Sequence, residues 1–143
     1  MSLDGTYDPQ NIFAKILRQE VPCFKVFEDD VALAFMDLFP QTNGHTLVIP
    51  KAASRNFLDF PADALGTYMQ SAQRVAQAVT KAMRADGLRV MQFNGAPSGQ
   101  TVFHLHFHLI PVFEGGATGM HAAQRGDDET LKANAAKIAA ALS

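Results

Sequence analysis

The chain has 143 residues, of which 48% are hydrophobic and 18% charged, with a formal net charge of −2. That is one domain with enough apolar content for a core. It excludes a mainly disordered chain, and it lacks the basic footprint of a nucleic-acid binder. Its one cysteine, Cys23, excludes an internal disulfide and any zinc site built on several thiolates.

Residues 1–10 are polar and turn-rich and read as a flexible leader, with a single domain over 11–143. The start of the chain carries no basic and apolar signal segment, and no apolar run approaches the roughly 18 residues of a membrane helix. The expectation is a cytoplasmic protein that engages neither membrane nor nucleic acid.

Asn11 is placed to cap a short helix whose stripe is Ile12, Phe13, Ile16 and Leu17, stopped by Pro22. Two strands, 24–28 and 31–37, flank the turn Asp29-Asp30. A turn-rich loop over 40–44 leads to a strand over 45–49, closed by Pro50. The longest helix is expected over 61–85, with the seam Leu65, Met69, Ala72, Ala76, Val79 and Met83. A strand over 88–93, a glycine-containing loop over 94–99 and a strand over 102–110 follow. After a loop over 114–126, Asp127 is placed to cap a last helix with Leu131, Ala135, Ile138 and Leu142 on one face. The order predicts an α+β domain with a mainly antiparallel sheet of about five strands.

The chemistry concentrates in the last strand. Side chains alternate faces along a strand, so His104, His106 and His108 share one face and Leu105, Phe107 and Leu109 the other. Neighbouring histidines then stand about 6.6 Å apart, too far for a regular strand to wrap all three around one ion. Other histidines, His45 and His121, show no ligand spacing, so no metal site is assigned. A neutral imidazole is a good nucleophile near pH 7, and flanking imidazoles can donate to phosphate oxygens. Phosphate chemistry therefore suits the row better than metal binding or idle surface histidines. The loop from Asn94 to Thr101 runs into this strand. Its glycines let backbone N–H groups approach an anion, and Gln100 and Thr101 add donors.

These residues resemble a known signature. Gly99-Gln100-Thr101-Val102-Phe103-His104-Leu105-His106-Phe107-His108-Leu109-Ile110-Pro111 is similar to the alternating motif of the histidine triad (HIT) family. Three further blocks match in order: 12–22, 34–41 and 44–51. The resemblance implies a HIT-like fold that pairs into homodimers and binds a purine nucleotide conjugate. It implies hydrolysis at the α-phosphate through a covalent nucleotidyl-histidine, releasing a nucleoside monophosphate.

By the same resemblance, His106 is the nucleophile and His108 contacts the phosphate. His104 supports the cluster through its second ring nitrogen. Asn94, Gln100 and Thr101, beside Gly99, hold phosphate oxygens or the leaving group. Asp37 accepts from the ribose, Ile12, Phe13, Phe35 and Leu38 form the base pocket, and His45 sits near the triad.

Read without the family, Ile12, Phe13, Phe35 and Leu38 serve equally as core, and Asp37 as a turn former. No cofactor is required, though Mg²⁺ could accompany a polyphosphate substrate. Some family members bind a structural zinc through Cys-x-x-Cys at the first helix. Here those positions are Asn11 and Ala14, which argues against that zinc. Val112 stands where the family often has arginine, and the phosphoramidase branch's tryptophan-containing tail is absent. The branch therefore stays open between nucleoside phosphoramidase and dinucleoside polyphosphate hydrolase. A non-catalytic nucleotide-binding module and a metal-dependent hydrolase remain as alternatives.

Overall fold

Asn11 takes an extended backbone and its side chain accepts the Ala14 N–H, which starts helix α1 at Ile12–Leu17. Gln19, with φ of 63°, turns the chain before Pro22 is reached. The coordinates are a computed structural model that describes residues 2–116 and 124–142. Strands β1 (Lys25–Glu28) and β2 (Ala32–Met36) form a hairpin. Its turn is held by Asp29 Oδ1, which accepts from Val31 and Ala32 N–H. Strand β3 (Thr46–Pro50) precedes a 3₁₀ turn at Ala62–Ala64 and helix α2 (Leu65–Met83). Strands β4 (Gly87–Met91) and β5 (Phe107–Val112) and helix α3 (Asp128–Ala140) complete the chain. Asp127 caps α3 through the Thr130 N–H, as expected from sequence.

The five strands form one antiparallel sheet in the order β1-β2-β3-β5-β4. One face packs on α2 and α3 through a core that includes Ala34, Val48, Val75, Val79, Leu109, Leu131 and Ile138. The other face carries a smaller core of Phe13, Leu33, Phe35, Leu47 and Ile49 under α1. The register lines up Phe35 with Leu47, Leu47 with His108, and His108 with Met91. This row crosses the sheet on the α1 side and forms a platform for the site.

Two sequence expectations are corrected. The long helix runs over 65–83 rather than 61–85, because Pro61 begins a 3₁₀ turn and Arg84 takes a left-handed C-cap with φ of 55°. Its buried face is Tyr68, Ser71, Ala72, Val75, Ala78 and Val79. Leu65, Met69, Ala76 and Met83 flank that face, partly buried. Tyr68 is buried because its hydroxyl donates to the Val48 carbonyl at 2.8 Å.

The last strand begins at Phe107 rather than residue 102, and it continues through Pro111 to Val112. Residues 102–106 lie outside the ladder. Their alternation nevertheless persists. Leu105 and Leu109 are buried in the main core and Phe107 packs against it.

Residues 2–8, read from sequence as a flexible leader, lie against the 54–57 and 94–98 segments. The Arg55 guanidinium donates to the Ser2 and Thr6 carbonyls, and Asn56 Nδ2 to the Leu3 carbonyl. Residues 117–123, including His121 and most of the expected 114–126 loop, are outside the described residues. Among the described residues, no helix is long and apolar enough to cross a membrane.

Candidate active site

A cavity of about 830 Å³ opens between α1, the sheet platform and the 96–102 segment. Ile12, Phe13, Phe35, Asp37, Leu38, His45, Gly99, Thr101, His106 and His108 line it. Sequence reasoning thus named ten of its residues. It missed Ile16, Val21, Pro22, Cys23, Phe39, Met91, Phe93 and Val102, which make the apolar walls with them. Ile16 and Pro22 lay within matching blocks, whereas nothing in the sequence around Cys23 signalled a wall. The size is that of a small-molecule site with few polar groups.

The proton positions in this cavity follow from its hydrogen bonds. His106 Nδ1 lies 2.7 Å from the His104 carbonyl oxygen, which can only accept. Nδ1 therefore carries the ring proton, and Nε2 of the neutral ring is left with its lone pair. The His106 ring is clamped edge-on by Phe13 at 4.9 Å and meets His108 at 5.0 Å.

A second chain fixes His108. The Gln41 N–H donates to His45 Nδ1 at 3.0 Å, so the His45 proton is on Nε2. That Nε2 lies 3.0 Å from His108 Nδ1, which must accept. His108 then holds its own proton on Nε2. The two neighbouring imidazoles are thus set in opposite tautomers, one with a bare Nε2 and one with an Nε2–H.

Burial keeps these rings neutral. It pulls His106, His108 and His45 down to about 4, helped at His45 by His106, at His108 by His45 and at His106 by His108 and His104. For His106 the His104 carbonyl opposes that shift without reversing it. Burial pushes Asp37 up to about 6 against the stabilising Phe39 N–H. Asp37 Oδ1 accepts that N–H at 2.8 Å and Oδ2 lies 3.3 Å from His45 Nε2. Asp37 is both the turn former and a cavity residue, so the two readings of it are compatible.

Four site expectations change. His104 is fully buried, and its ring points away from His106 in bonding terms. Its Nε2 donates to the Pro50 carbonyl at 2.8 Å, and its Nδ1 accepts the Tyr7 hydroxyl at 2.6 Å. It supports His106 through its backbone carbonyl, not through a ring nitrogen.

Gln100 is 3% exposed, does not line the cavity, and has its amide fully engaged. Oε1 accepts from Gly95 N–H, and Nε2 donates to the Arg55 and Val102 carbonyls. Asn94 Oδ1 accepts from Phe57 N–H and Gln92, and Asn94 also does not line the cavity.

The phosphate cradle of backbone N–H groups is also largely closed. Those of Ser98, Gly99 and Gln100 donate within the loop, Gly95 to Gln100 and Ala96 to Ser2 Oγ. Gly95 and Gly99, both with positive φ, bracket a second 3₁₀ turn at Ala96–Ser98 and fold the loop onto itself. Thr101, exposed at the rim, and His108 are what remains of the expected phosphate contacts.

Asp37, His45 and His108 bring one oxygen and two nitrogens within 4.8 Å of one another, a cluster that their spacing in sequence concealed. Separations of 3.0, 3.3 and 4.0 Å are near the roughly 3.3–3.4 Å between ligands of a tetrahedral ion. Ligation through His45 Nε2 would move its proton to Nδ1, where the Gln41 N–H already points. The bonding pattern suits proton sharing instead. At the first helix, Asn11 uses its side chain as a cap and Ala14 is buried, so neither supplies the thiolate of the zinc site found in some HIT proteins.

Comparison with known proteins agrees with this geometry. The HIT domain family model matches residues 18–115. A HIT-like protein of Bartonella henselae superposes with a TM-score of 0.88 at 51% identity, covering 95% of this chain and 99% of that one. Adenosine 5′-monophosphoramidase HNT1 of Saccharomyces cerevisiae is 42% identical over 111 residues, 78% of this chain and 68% of the yeast protein. Adenylylsulfatase HINT3 of Arabidopsis thaliana is 36% identical over 100 residues, 70% of this chain and 51% of the plant protein. With the HIT domain, the five-stranded sheet and the histidine row all in register, the chain belongs to the histidine triad family, whose members include nucleotide hydrolases.

Proposed function

We propose that this protein hydrolyses a purine nucleotide conjugate at its α-phosphate through a covalent nucleotidyl-His106 intermediate. The observation that carries the reading is the pair of opposite tautomers, a bare Nε2 on His106 beside an Nε2–H on His108. The two relatives named as nucleotide hydrolases support the same class.

His106 Nε2 attacks phosphorus, forming an N–P bond as the bond to the leaving group breaks. Positive charge then develops on the imidazole, and its Nδ1–H holds that charge against the His104 carbonyl. The leaving group takes up a proton from solvent as it departs. Water then attacks the same phosphorus, the N–P bond breaks with its electron pair returning to His106 Nε2, the proton of the attacking water goes to solvent and a nucleoside monophosphate leaves. His108 and Thr101 donate to the phosphate oxygens, where charge stabilisation contributes most.

Ile12, Phe13, Phe35 and Leu38 form the base pocket, and Asp37 takes the ribose hydroxyls. This chemistry uses no metal at the nucleophile, and Mg²⁺ enters only with a polyphosphate substrate. The first helix provides no structural zinc. The protein acts as a homodimer, a reading supported by the open edge of β4, where Val90 is exposed.

The decisive test is a substrate panel of adenosine phosphoramidate, diadenosine triphosphate and diadenosine tetraphosphate. It is read alongside intact-mass detection of an adenylyl adduct on acid-free quenching. Turnover with an adduct that is lost in His106→Ala is the expected result. Tight nucleotide binding with no turnover of any of the three would replace this reading by the binding module.

A further inference from the structure

We propose that Tyr7 is a positioning residue for His106, acting through His104, and that the segment 2–8 is the strap that holds Tyr7 in place. For its kinetic arm this rests on the hydrolase reading above. Tyr7 lies outside residues 18–115, the part of the chain that matches the family model.

The peptide that aims His106 is not held by the sheet. Strand β5 begins at Phe107, so the His104 carbonyl lies in an irregular segment. That segment is anchored by the Leu105 N–H on the Ser54 carbonyl at 2.8 Å, and by the His104 ring. The ring is buried, and both of its nitrogens are engaged. Pro50, at the end of β3, takes the Nε2–H, and the Tyr7 hydroxyl donates to Nδ1. The carbonyl of Pro50 can only accept, so the tyrosine meets a bare nitrogen and fixes one tautomer. Removing that hydroxyl leaves a buried acceptor unpaired. It frees the ring to exchange tautomers and turn away from Pro50, and the carbonyl that orders His106 moves with it.

Tyr7 is itself held in place. The Arg55 guanidinium, standing over the Phe103 ring at 4.8 Å, donates to the carbonyls of Ser2 and Thr6. Ser2 Oγ accepts the Ala96 N–H at 2.9 Å. The strap therefore ties the 54–56 segment, the 94–98 loop and the histidine row into one unit.

The test is Tyr7→Phe, which keeps the edge-on ring contact with His104, at 5.7 Å between centroids, and removes only the hydroxyl. Ring ¹⁵N signals are recorded on the unliganded protein at neutral pH, so this arm needs no substrate. The wild type is expected to show His104 protonated at Nε2 and His106 at Nδ1, and the variant a mixture at both. With an active substrate, kcat is expected to fall about tenfold with KM within twofold, and the acid limb of the kcat profile to move. Unchanged His106 tautomers in the variant overturn the proposal, as does wild-type kcat. A lower Tm with unchanged tautomers gives Tyr7 a merely structural role and overturns it equally. If the wild type turns over no nucleotide conjugate, the hydrolase reading fails alone, and the ¹⁵N signals still decide the role of Tyr7.

Discussion

The His104 carbonyl oxygen accepts the Nδ1–H of His106 at 2.7 Å, so the backbone of the first triad histidine sets the proton of the second. This makes His106 Nε2 a lone pair in a cavity where burial keeps the ring neutral. A nucleophile that is uncharged throughout the physiological range needs no base to activate it.

His106→Ala is therefore expected to lower kcat by about 10⁴-fold or more, while nucleotide monophosphate binding weakens by no more than about tenfold. The measurement is steady-state hydrolysis against calorimetric binding of the product. The alanine leaves the apolar walls, Asp37 and His108 in place, so binding survives. Retention of full turnover in this variant would remove the covalent mechanism.

His45 acts at one remove. It touches the cavity, yet its hydrogen bonds run from Gln41 N–H to His108 Nδ1. His45→Ala leaves the His108 Nδ1 without its donor and lets the proton move from Nε2 to Nδ1. The expected outcome is a fall in kcat of about 10- to 100-fold with a smaller change in KM. Kinetics on the same substrate as above check it. A change in KM alone would make His45 a binding-wall residue and nothing more.

Gln100 separates a structural role from a substrate contact. All three of its amide hydrogen bonds go to the protein backbone, and the residue is buried. Gln100→Ala removes the clamp between the 94–98 turn, Arg55 and Val102. It is expected to destabilise the fold by about 2–4 kcal/mol, read by urea denaturation, from the buried groups left unpaired. Near-wild-type stability with a raised KM would instead make Gln100 a phosphate contact that rearranges on binding.

The contrast between Gln100 and His106 shows what the sequence makes legible. Local chemistry reads well: the caps Asn11 and Asp127 act within three residues, and both are where the spacing puts them. Alternation also reads well. It places Leu105 and Leu109 in the core and the histidines on the other side, although residues 102–106 carry no ladder bonds. Period alone does not distinguish a paired strand from an extended segment. The expected seam of α2 packs on the core, with Ala72 and Val79 inside it and Met69 and Met83 at its margin, but the pattern passes over Tyr68, which is buried with its hydroxyl bonded to Val48. Direction is the hardest part. Gln100 and Asn94 are donors on a glycine loop in the sequence, and only the folded loop shows that their amides face inward. Tyr7 and His104 meet across 97 residues, and no local pattern announces that.

The acid stability of the fold follows from the same buried groups. His45, His106 and His108 sit near 4 in the native protein and near 6.5 once unfolded. A lowered histidine contributes stability that is present above about 6.5 and is lost as pH falls toward 4, because the unfolded chain takes up the proton first. Asp37 works the other way. Raised from 3.8 to about 6, it holds a proton that the unfolded chain has released, so its contribution grows as pH falls from 6 to 4. These three histidines against one aspartate leave a net uptake of at least about two protons on unfolding in that window, and His104, also lowered by burial, adds to it in the same direction. Stability is therefore expected to fall by roughly 3 kcal/mol per pH unit between 6 and 4. Asp37→Asn removes the opposing group, so its slope is expected to be steeper by about one proton. Urea denaturation of both proteins at pH 7, 6, 5 and 4.5 measures it. A parent profile in which stability rises as pH falls from 6 to 4, with Asp37 then unopposed, would mean that the histidines titrate near 6.5 when folded, and that the neutral, tautomer-fixed array does not persist in solution.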